Sequence, residues 1–310
     1  MRNCINCSRM DFSQGPVKGS SMWDEIRMQT CKHCGLAQLQ EWTTGFQPHL
    51  YDYYASWTES QIQEAYSSLN AERHSETLEE LGQLVSGRRL LDVGCGTGHF
   101  VESACRLGWD AQGVDLAEGA VGLAQARGIP CSNTDFFDIS PDDEGYDVVF
   151  MSEFIEHVPS PGVFLSHAEK LLGNGGILYL TTPNLNALTR RVSGTHWPVF
   201  HPEHLCYFSP ESLRSTIRSQ CPSLSITNFE AKNFSLAPLA SRLRARLGTR
   251  RSNSLSKEPS DQLQDVSTVD QSVRLAVNAS QWLSRAKKLA NIALSSCGAG
   301  DTLVVTLRKS

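Results

Sequence analysis

Arg89-Leu90-Leu91-Asp92-Val93-Gly94-Cys95-Gly96-Thr97-Gly98-His99-Phe100 passes from an apolar run into three alternate glycines and then into residues that suit a helix. The apolar run predicts a short buried strand. Gly94, Gly96 and Gly98 let the backbone turn tightly and meet a ligand without a Cβ in the way, and the following helix offers free N–H groups at its start. A GxGxG alone is a weak signal. Its context strengthens it, because Asp110-Ala111-Gln112-Gly113-Val114-Asp115 predicts a second strand ending in a carboxylate 17 residues after Gly98, where an acid can accept both ribose hydroxyls. Binding of a dinucleotide or nucleoside cofactor follows.

The alternation continues downstream. Residues 117–127 and 162–172 suit helices, and residues 130–134, 146–151 and 176–182 suit strands. This order predicts an α/β fold with a doubly wound, mostly parallel sheet of seven strands, whose ligands lie beyond the carboxyl ends of the strands. Asp92, Asp115, Asp135 and Glu153 all fall at or near those ends. Each alone could be a helix cap or loop acid; four at one edge point to a common site.

Upstream, Cys4-Ile5-Asn6-Cys7 and Cys31-Lys32-His33-Cys34 are two CxxC turns separated by 23 residues, the second followed by Gly35. Ten cysteines in 310 residues are too sparse for a disulfide scaffold. Two CxxC turns point instead to Cys4, Cys7, Cys31 and Cys34 closing a tetrahedral shell around one structural zinc, with no open position for catalysis. Such a ribbon, residues 1–40, is too small to build its own core, so the ion supplies folding free energy. Residues 41–86 are expected to be linker and lead-in helix. Their aromatics, including Tyr51, Tyr54 and Trp57, suit packing onto the next domain or the mouth of a ligand site.

Leu91-Asp92-Val93-Gly94-Cys95-Gly96-Thr97-Gly98, with Gly113-Val114-Asp115, Asp135-Phe136 and Glu153-Phe154-Ile155-Glu156-His157-Val158, resembles the class I S-adenosylmethionine-dependent methyltransferases over roughly residues 60–230. The resemblance implies that Asp92 and the glycine loop bind the cofactor, with Gly94, Gly96 and Gly98 under its methionine part. It also implies that Asp115 holds the ribose, that Asp135 and Phe136 meet adenine, and that Met151 and Glu153 border the methyl donor. Residues 87–234 would form the cofactor-binding core, and residues 300–310 look like that family's last strand. A four-cysteine ribbon on such a domain is similar to a bacterial subgroup that modifies small molecules or glycans.

Methyl transfer from a sulfonium is an in-line displacement, so a protein must align the acceptor and, for a hydroxyl, remove a proton. Glu153, Glu156 and His157 stand at i, i+3 and i+4, a spacing that one helical turn would bring to a shared face. His204 follows in a polar and aromatic loop, where His196 and His201 are reserve candidates. The arrangement resembles ubiquinone-biosynthesis O-methyltransferases and small-RNA 3′-end 2′-O-methyltransferases. In the latter, an ExxEH turn and a later histidine hold a divalent metal. Carried over, Glu153, Glu156, His157 and His204 would form a second metal site for Mn²⁺ or Mg²⁺; two imidazoles favour Mn²⁺, Fe²⁺ or Co²⁺ over Mg²⁺. Metal-free catalysis by His157, His204 and Glu156, or a structural role for all of them, fits the same residues.

The net charge of −5 conceals an asymmetry: residues 231–310 hold 13 Lys/Arg against 5 Asp/Glu, while the rest of the chain is strongly acidic. Much of that basic charge sits in an insertion, residues 235–299, where Leu239, Leu243 and Leu247 alternate with arginines as in an amphipathic helix, ahead of a polar loop and a second helix. The insertion suits a cap over the acceptor site, or a contact for a carrier protein or a peripheral membrane surface. Nucleic acid ranks last, since no aromatics interleave with the arginines. No apolar run reaches the roughly 18 residues needed to span a bilayer, so a cytoplasmic chain is expected. The expected function is O-methylation of a small hydroxylated metabolite or glycan. The alternatives are C- or N-methylation of a nucleotide-linked sugar or natural product and, from another class, a non-enzymatic zinc-ribbon adapter.

Overall fold

The computed structural model describes residues 3–15, 27–40, 68–194, 197, 199–200, 203–233 and 297–310. The aromatic stretch 41–60, His196, His201 and the expected helices of the insertion lie outside them. In chain order the elements begin with three short strands, β1 (Phe12–Gly15), β2 (Met28–Cys31) and β3 (Ala37–Leu39). The lead-in helix α1 (Ser68–Leu84) follows, then β4 (Arg89–Val93), α2 (His99–Arg106), β5 (Asp110–Asp115), α3 (Glu118–Ala126) and β6 (Cys131–Asn133). Next are β7 (Tyr146–Ser152), α4 (Pro161–Leu171), β8 (Leu172–Pro183), α5 (Leu188–Ser193), β9 (Cys206–Tyr207), α6 (Pro210–Gln220), β10 (Leu224–Lys232) and β11 (Thr302–Lys309). The expected strand–helix alternation is observed, with ends moved by a few residues.

Seven strands form one sheet in the order β10-β11-β8-β7-β4-β5-β6. β4 pairs in parallel with both β5 and β7, β5 with β6, and β7 with β8. β11 runs against β10: Ser310 N bonds to Ser223 O, Ser225 Oγ to Arg308 O and Thr227 Oγ1 to Thr306 O, so one strand's numbers rise as its partner's fall. β4 therefore sits in the interior of the sheet and both of its faces are covered, which is why Leu90, Leu91, Asp92 and Val93 are all buried. One face packs Leu78 and Leu81 of α1 with Phe100, Val101 and Ala104 of α2, Val121 and Ala124 of α3, and Phe150 of β7. Phe100 stacks on Phe150 and Phe150 on Tyr179, with centroids 3.7 and 5.1 Å apart. Burial of one such ring contributes about 2 kcal/mol.

The chain divides into two compact units: residues 43–182, 214–229 and 304–310 hold most of the seven-stranded sheet, and residues 1–42, 183–213 and 230–303 form the other. The ribbon is thus not a free-standing 40-residue module. Its strands continue into a four-stranded sheet, β1-β2-β3-β9, whose last member comes from far along the chain. Ala37 pairs with Tyr207 and Gln38 with Cys206, antiparallel. Beneath them Met28, Ala37, Leu39, Ala187, Trp197, Phe200 and Tyr207 share an apolar cluster. Among the described residues, no helix is long and apolar enough to cross a membrane.

Candidate functional site

The glycine loop follows β4. Gly94, Gly96 and Gly98 all have positive φ, at 78°, 52° and 76°. Gly94 N donates to Val114 O of β5 at 2.8 Å, and Gly98, the N-cap of α2, donates to Cys95 O. A Cβ on Gly94 would stand 2.5 Å from Phe154, and one on Gly98 would press on Cys131, Ala124 and Ile129. Around Gly96 nothing lies within 4 Å of such a carbon. Two of the glycines therefore serve packing, and the middle one leaves open space where a ligand can approach the backbone.

Asp115, at the end of β5, ties this loop down. Its Oδ2 accepts from Gly96 N and its Oδ1 from Ala117 N, both at 2.8 Å. Burial pushes its carboxyl up, and those N–H groups pull it back. Asp92, inside β4, is pushed up to about 8, by burial first and then by the charge of Asp115. Arg127, at the end of α3, braces the loop from beneath by donating to the Thr97 carbonyl and, at 3.3 Å, to His99 Nδ1. Burial, Arg127 and His74 hold His99 down to about 4, so its neutral ring can accept that bond. Nothing in the sequence spacing marked Arg127.

Beyond β6, Asp135 caps a single 3₁₀ turn by accepting from Phe137 N at 2.9 Å. Phe136 is enclosed, stacked with Phe164 at 6.0 Å and edge-on to His167, whereas Phe137 is exposed.

The residues that the sequence offers for the acceptor side follow β7. Met151 is fully buried. Glu153 adopts φ 50°, a left-handed conformation rare for a residue with a side chain. Ile155–His157 then forms one 3₁₀ turn in place of the expected α-helical one, and ligand atoms of Glu156 and His157 still lie within 4.8 Å of each other. Two threonines of β8 hold the glutamates: Thr181 Oγ1 donates to Glu153 at 3.2 Å and Thr182 Oγ1 to Glu156 at 2.9 Å. Glu156 is buried, and burial, then the neighbouring Glu153, pushes its carboxyl well above the ordinary range. Glu153 keeps an exposed edge although atoms crowd its carboxylate; that crowding pushes it up and Thr181 offsets part of the effect. His157 is half-buried. Phe154, between these acids, lies on Gly94 and so joins the acceptor-side turn to the glycine loop. His204 belongs to the other unit, half-buried ahead of β9 with its ring 5.8 Å from that of Tyr207.

The four ribbon cysteines converge. Cys4 and Cys34 sulfurs are 3.5 Å apart, those of Cys7 and Cys31 are 3.6 Å apart, and all four lie within 4.8 Å of one another. Both knuckles close alike: Ser8 N bonds to Cys4 O, Gly35 N bonds to Cys31 O, and Ser8 and Gly35 are left-handed. Zn–S bonds of about 2.3 Å would place neighbouring sulfurs about 3.8 Å apart, so the set fits a tetrahedral zinc. Burial pushes the Cys7 thiol up, so four thiolates here need a cation.

The family model described as "Methyltransferase domain" matches residues 61–219. The chain belongs to that methyltransferase family. Among curated relatives, the ubiquinone biosynthesis O-methyltransferase of Bordetella avium (strain 197N) is 34% identical over 118 residues, 36% of this chain and 49% of that protein. Its counterpart in Burkholderia vietnamiensis (strain G4 / LMG 22486) is 32% identical over 146 residues, 45% of this chain and 61% of its own. The matches thus span between about half and three-fifths of those relatives. Among solved structures, the plantazolicin methyltransferase BamL, in complex with a triazolic desmethyl analogue and S-adenosylhomocysteine, aligns with TM-score 0.50 and 15% identity over 84% of this chain and 94% of its own. That likeness is one of fold. The seven-stranded α/β architecture of the methyltransferase is that of class I S-adenosylmethionine-dependent enzymes.

Proposed function

We propose that this methyltransferase uses S-adenosylmethionine to O-methylate a small hydroxylated metabolite or glycan, with a structural zinc on Cys4, Cys7, Cys31 and Cys34. The observation that carries the reading is the joining of the two halves of the site through Phe154, which packs against Gly94 and lies between Glu153 and Glu156. The relatives named as ubiquinone biosynthesis O-methyltransferases support oxygen as the methylated atom.

S-adenosylmethionine supplies a methyl group activated on a sulfonium. The chain's own part is to seat that group against the glycine loop, with Asp92, Asp115, Asp135 and Phe136 along the strand ends. It must also accept the proton that the hydroxyl loses as its oxygen takes the methyl. His157 is the base we assign, with His204 as the second candidate, because imidazole titrates near neutral pH. Glu156, buried and bonded by Thr182 Oγ1, anchors the turn that carries His157.

S-adenosylhomocysteine binding, followed by calorimetry, is expected in the wild type and weakened roughly 10- to 100-fold in Asp115→Ala, which loses the charged acceptor of Gly96 N–H. Against a panel of catechols and vicinal diols, His157→Ala is expected to lower kcat by about 10² to 10⁴ with binding retained. Methylation of carbon or nitrogen acceptors alone would favour the alternative reading, and absence of S-adenosylhomocysteine binding would favour the adapter.

Elemental mass spectrometry is expected to find about one zinc per chain, lost in Cys31→Ser. A second, exchangeable ion that disappears in Glu156→Gln would put a divalent metal on the acceptor-side turn.

A further inference from the structure

Gln38 is a fully buried polar side chain, 0% exposed, with both ends of its amide engaged. Its Oε1 accepts from Ile5 N at 2.9 Å and its Nε2 donates to Asn3 O at 3.3 Å. Asn3 and Ile5 flank Cys4, so this one side chain clasps the first cysteine knuckle. Its backbone lies in the middle of β3, opposite Gln29 of β2 on one side and Cys206 of β9 on the other.

The second knuckle is itself the turn of the β2–β3 hairpin. β2 ends at Cys31, Cys31 N bonds to Leu36 O, Gly35 N bonds back to Cys31 O, and β3 begins at Ala37. Thus Cys31 and Cys34 stand at the turn of the hairpin, while Gln38 fastens the other knuckle to β3, which lies between β2 and β9. β9 depends on that strand. It is two residues long, and its contacts with β3 are the pairs Ala37–Tyr207 and Gln38–Cys206 and the bond from Leu39 N to Leu205 O at 3.0 Å. A strand this short has no stability of its own. His204 stands two residues before it and rests against Tyr207.

We infer that the four-cysteine centre is a positioning device within its own unit: a metal held there orders β9, through the β2–β3 hairpin and Gln38, and thereby fixes the segment that carries His204. Gln38 acts as a positioning residue. The inference rests on the zinc reading proposed above and gives the ribbon a task beyond its own folding.

Hydrogen exchange read by mass spectrometry on the full chain tests it, comparing zinc-loaded protein with protein stripped by a chelator under reducing conditions. Stripping is expected to speed exchange of the amides of residues 205–207 by about tenfold or more while residues 110–115 of β5 keep their protection. S-adenosylhomocysteine affinity is expected to stay within about twofold, since the glycine loop and Asp115 lie in the other unit. Gln38→Leu, loaded with Co²⁺, is expected to keep the thiolate-to-cobalt absorption of a tetrathiolate site and yet exchange faster at residues 205–207. That pairing of an intact metal spectrum with a loosened β9 is what a role confined to folding the ribbon would not produce. Unchanged exchange at residues 205–207 on stripping overturns the inference, as does equal loosening of β5, which would make the centre a general stability element. Failure to take up Zn²⁺ or Co²⁺ at all overturns the zinc reading itself, a result distinct from uptake without effect on β9.

Discussion

Gly94→Ala is expected to abolish measurable S-adenosylhomocysteine binding and to lower the unfolding free energy by roughly 2 to 4 kcal/mol, combining left-handed strain with a steric overlap in the core. Gly94 has φ 78°, where an L-residue is strained, and its new Cβ would meet Phe154 Cδ2 at 2.5 Å and Cε2 at 3.3 Å. Phe154 has little room to yield, since its ring already stands edge-on to Phe164 at 5.7 Å. If it moves, it strains Glu153, its neighbour in the chain, and Glu156, two residues on, which Thr181 and Thr182 hold in place. Gly96→Ala is the informative control. Its φ is 52°, also left-handed, but nothing lies within 4 Å of the added carbon. That variant is expected to fold with a loss of only about 1 to 2 kcal/mol and still to bind ligand poorly, since the methyl occupies open space beside the loop. Urea denaturation and calorimetric titration of both proteins separate the effects. Equal stabilities for the two variants would show that Phe154 accommodates the carbon and that the two halves of the site are not locked together.

The α/β architecture was legible because it is written in period and punctuation. Leu90 to Val93 is an unbroken apolar run save for Asp92, as a strand covered on both faces must be, and three glycines mark its end. Asp115 could be placed for the same reason, as the last residue of the next strand. The cysteine knuckles were legible because two-residue spacing and a following Gly35 are local features. Contacts made across the sheet were not. Phe154 lies on Gly94 because β7 pairs with β4, and Thr181 and Thr182 reach Glu153 and Glu156 because β8 pairs with β7; no spacing within any one segment announces either. The spacing of Glu153, Glu156 and His157 pointed to a turn after β7, but not to its being 3₁₀ or to the left-handed residue ahead of it. The participation of Cys206 and Tyr207 in the ribbon sheet was equally hidden, because a two-residue strand has no pattern to read.

Asp92→Asn is expected to flatten the fall of stability between about pH 5 and pH 8, making the variant more stable than the wild type by roughly 2 kcal/mol or more at the upper end. Asp92 is buried in an interior strand, and its carboxyl is pushed from the ordinary range up to about 8, chiefly by loss of solvent and then by Asp115. In the unfolded chain the same carboxyl sheds its proton near pH 4, so over this window the folded protein holds the extra proton. Where the native state binds more protons, stability falls as pH rises, by about 1.4 kcal/mol per unit for a single group, until the folded pKa is passed. Glu156 and Glu153 are raised as well and add slopes of the same sign, so the wild-type curve alone assigns nothing. Subtracting the Asn curve isolates Asp92, because an amide of the same shape has no proton to lose in this range. Parallel curves for the two proteins would mean that Asp92 ionises in the fold near its ordinary pKa. The same proton bears on the cofactor: if the ligand's ammonium group comes near Asp92, it favours the carboxylate and binding expels the proton. Titrations with S-adenosylhomocysteine at pH 7, in buffers of different ionisation enthalpy, are then expected to reveal release of a fraction of a proton in the wild type and a smaller release in Asp92→Asn. A release unchanged by the substitution would move its source to Asp115 or the Glu153–Glu156 pair.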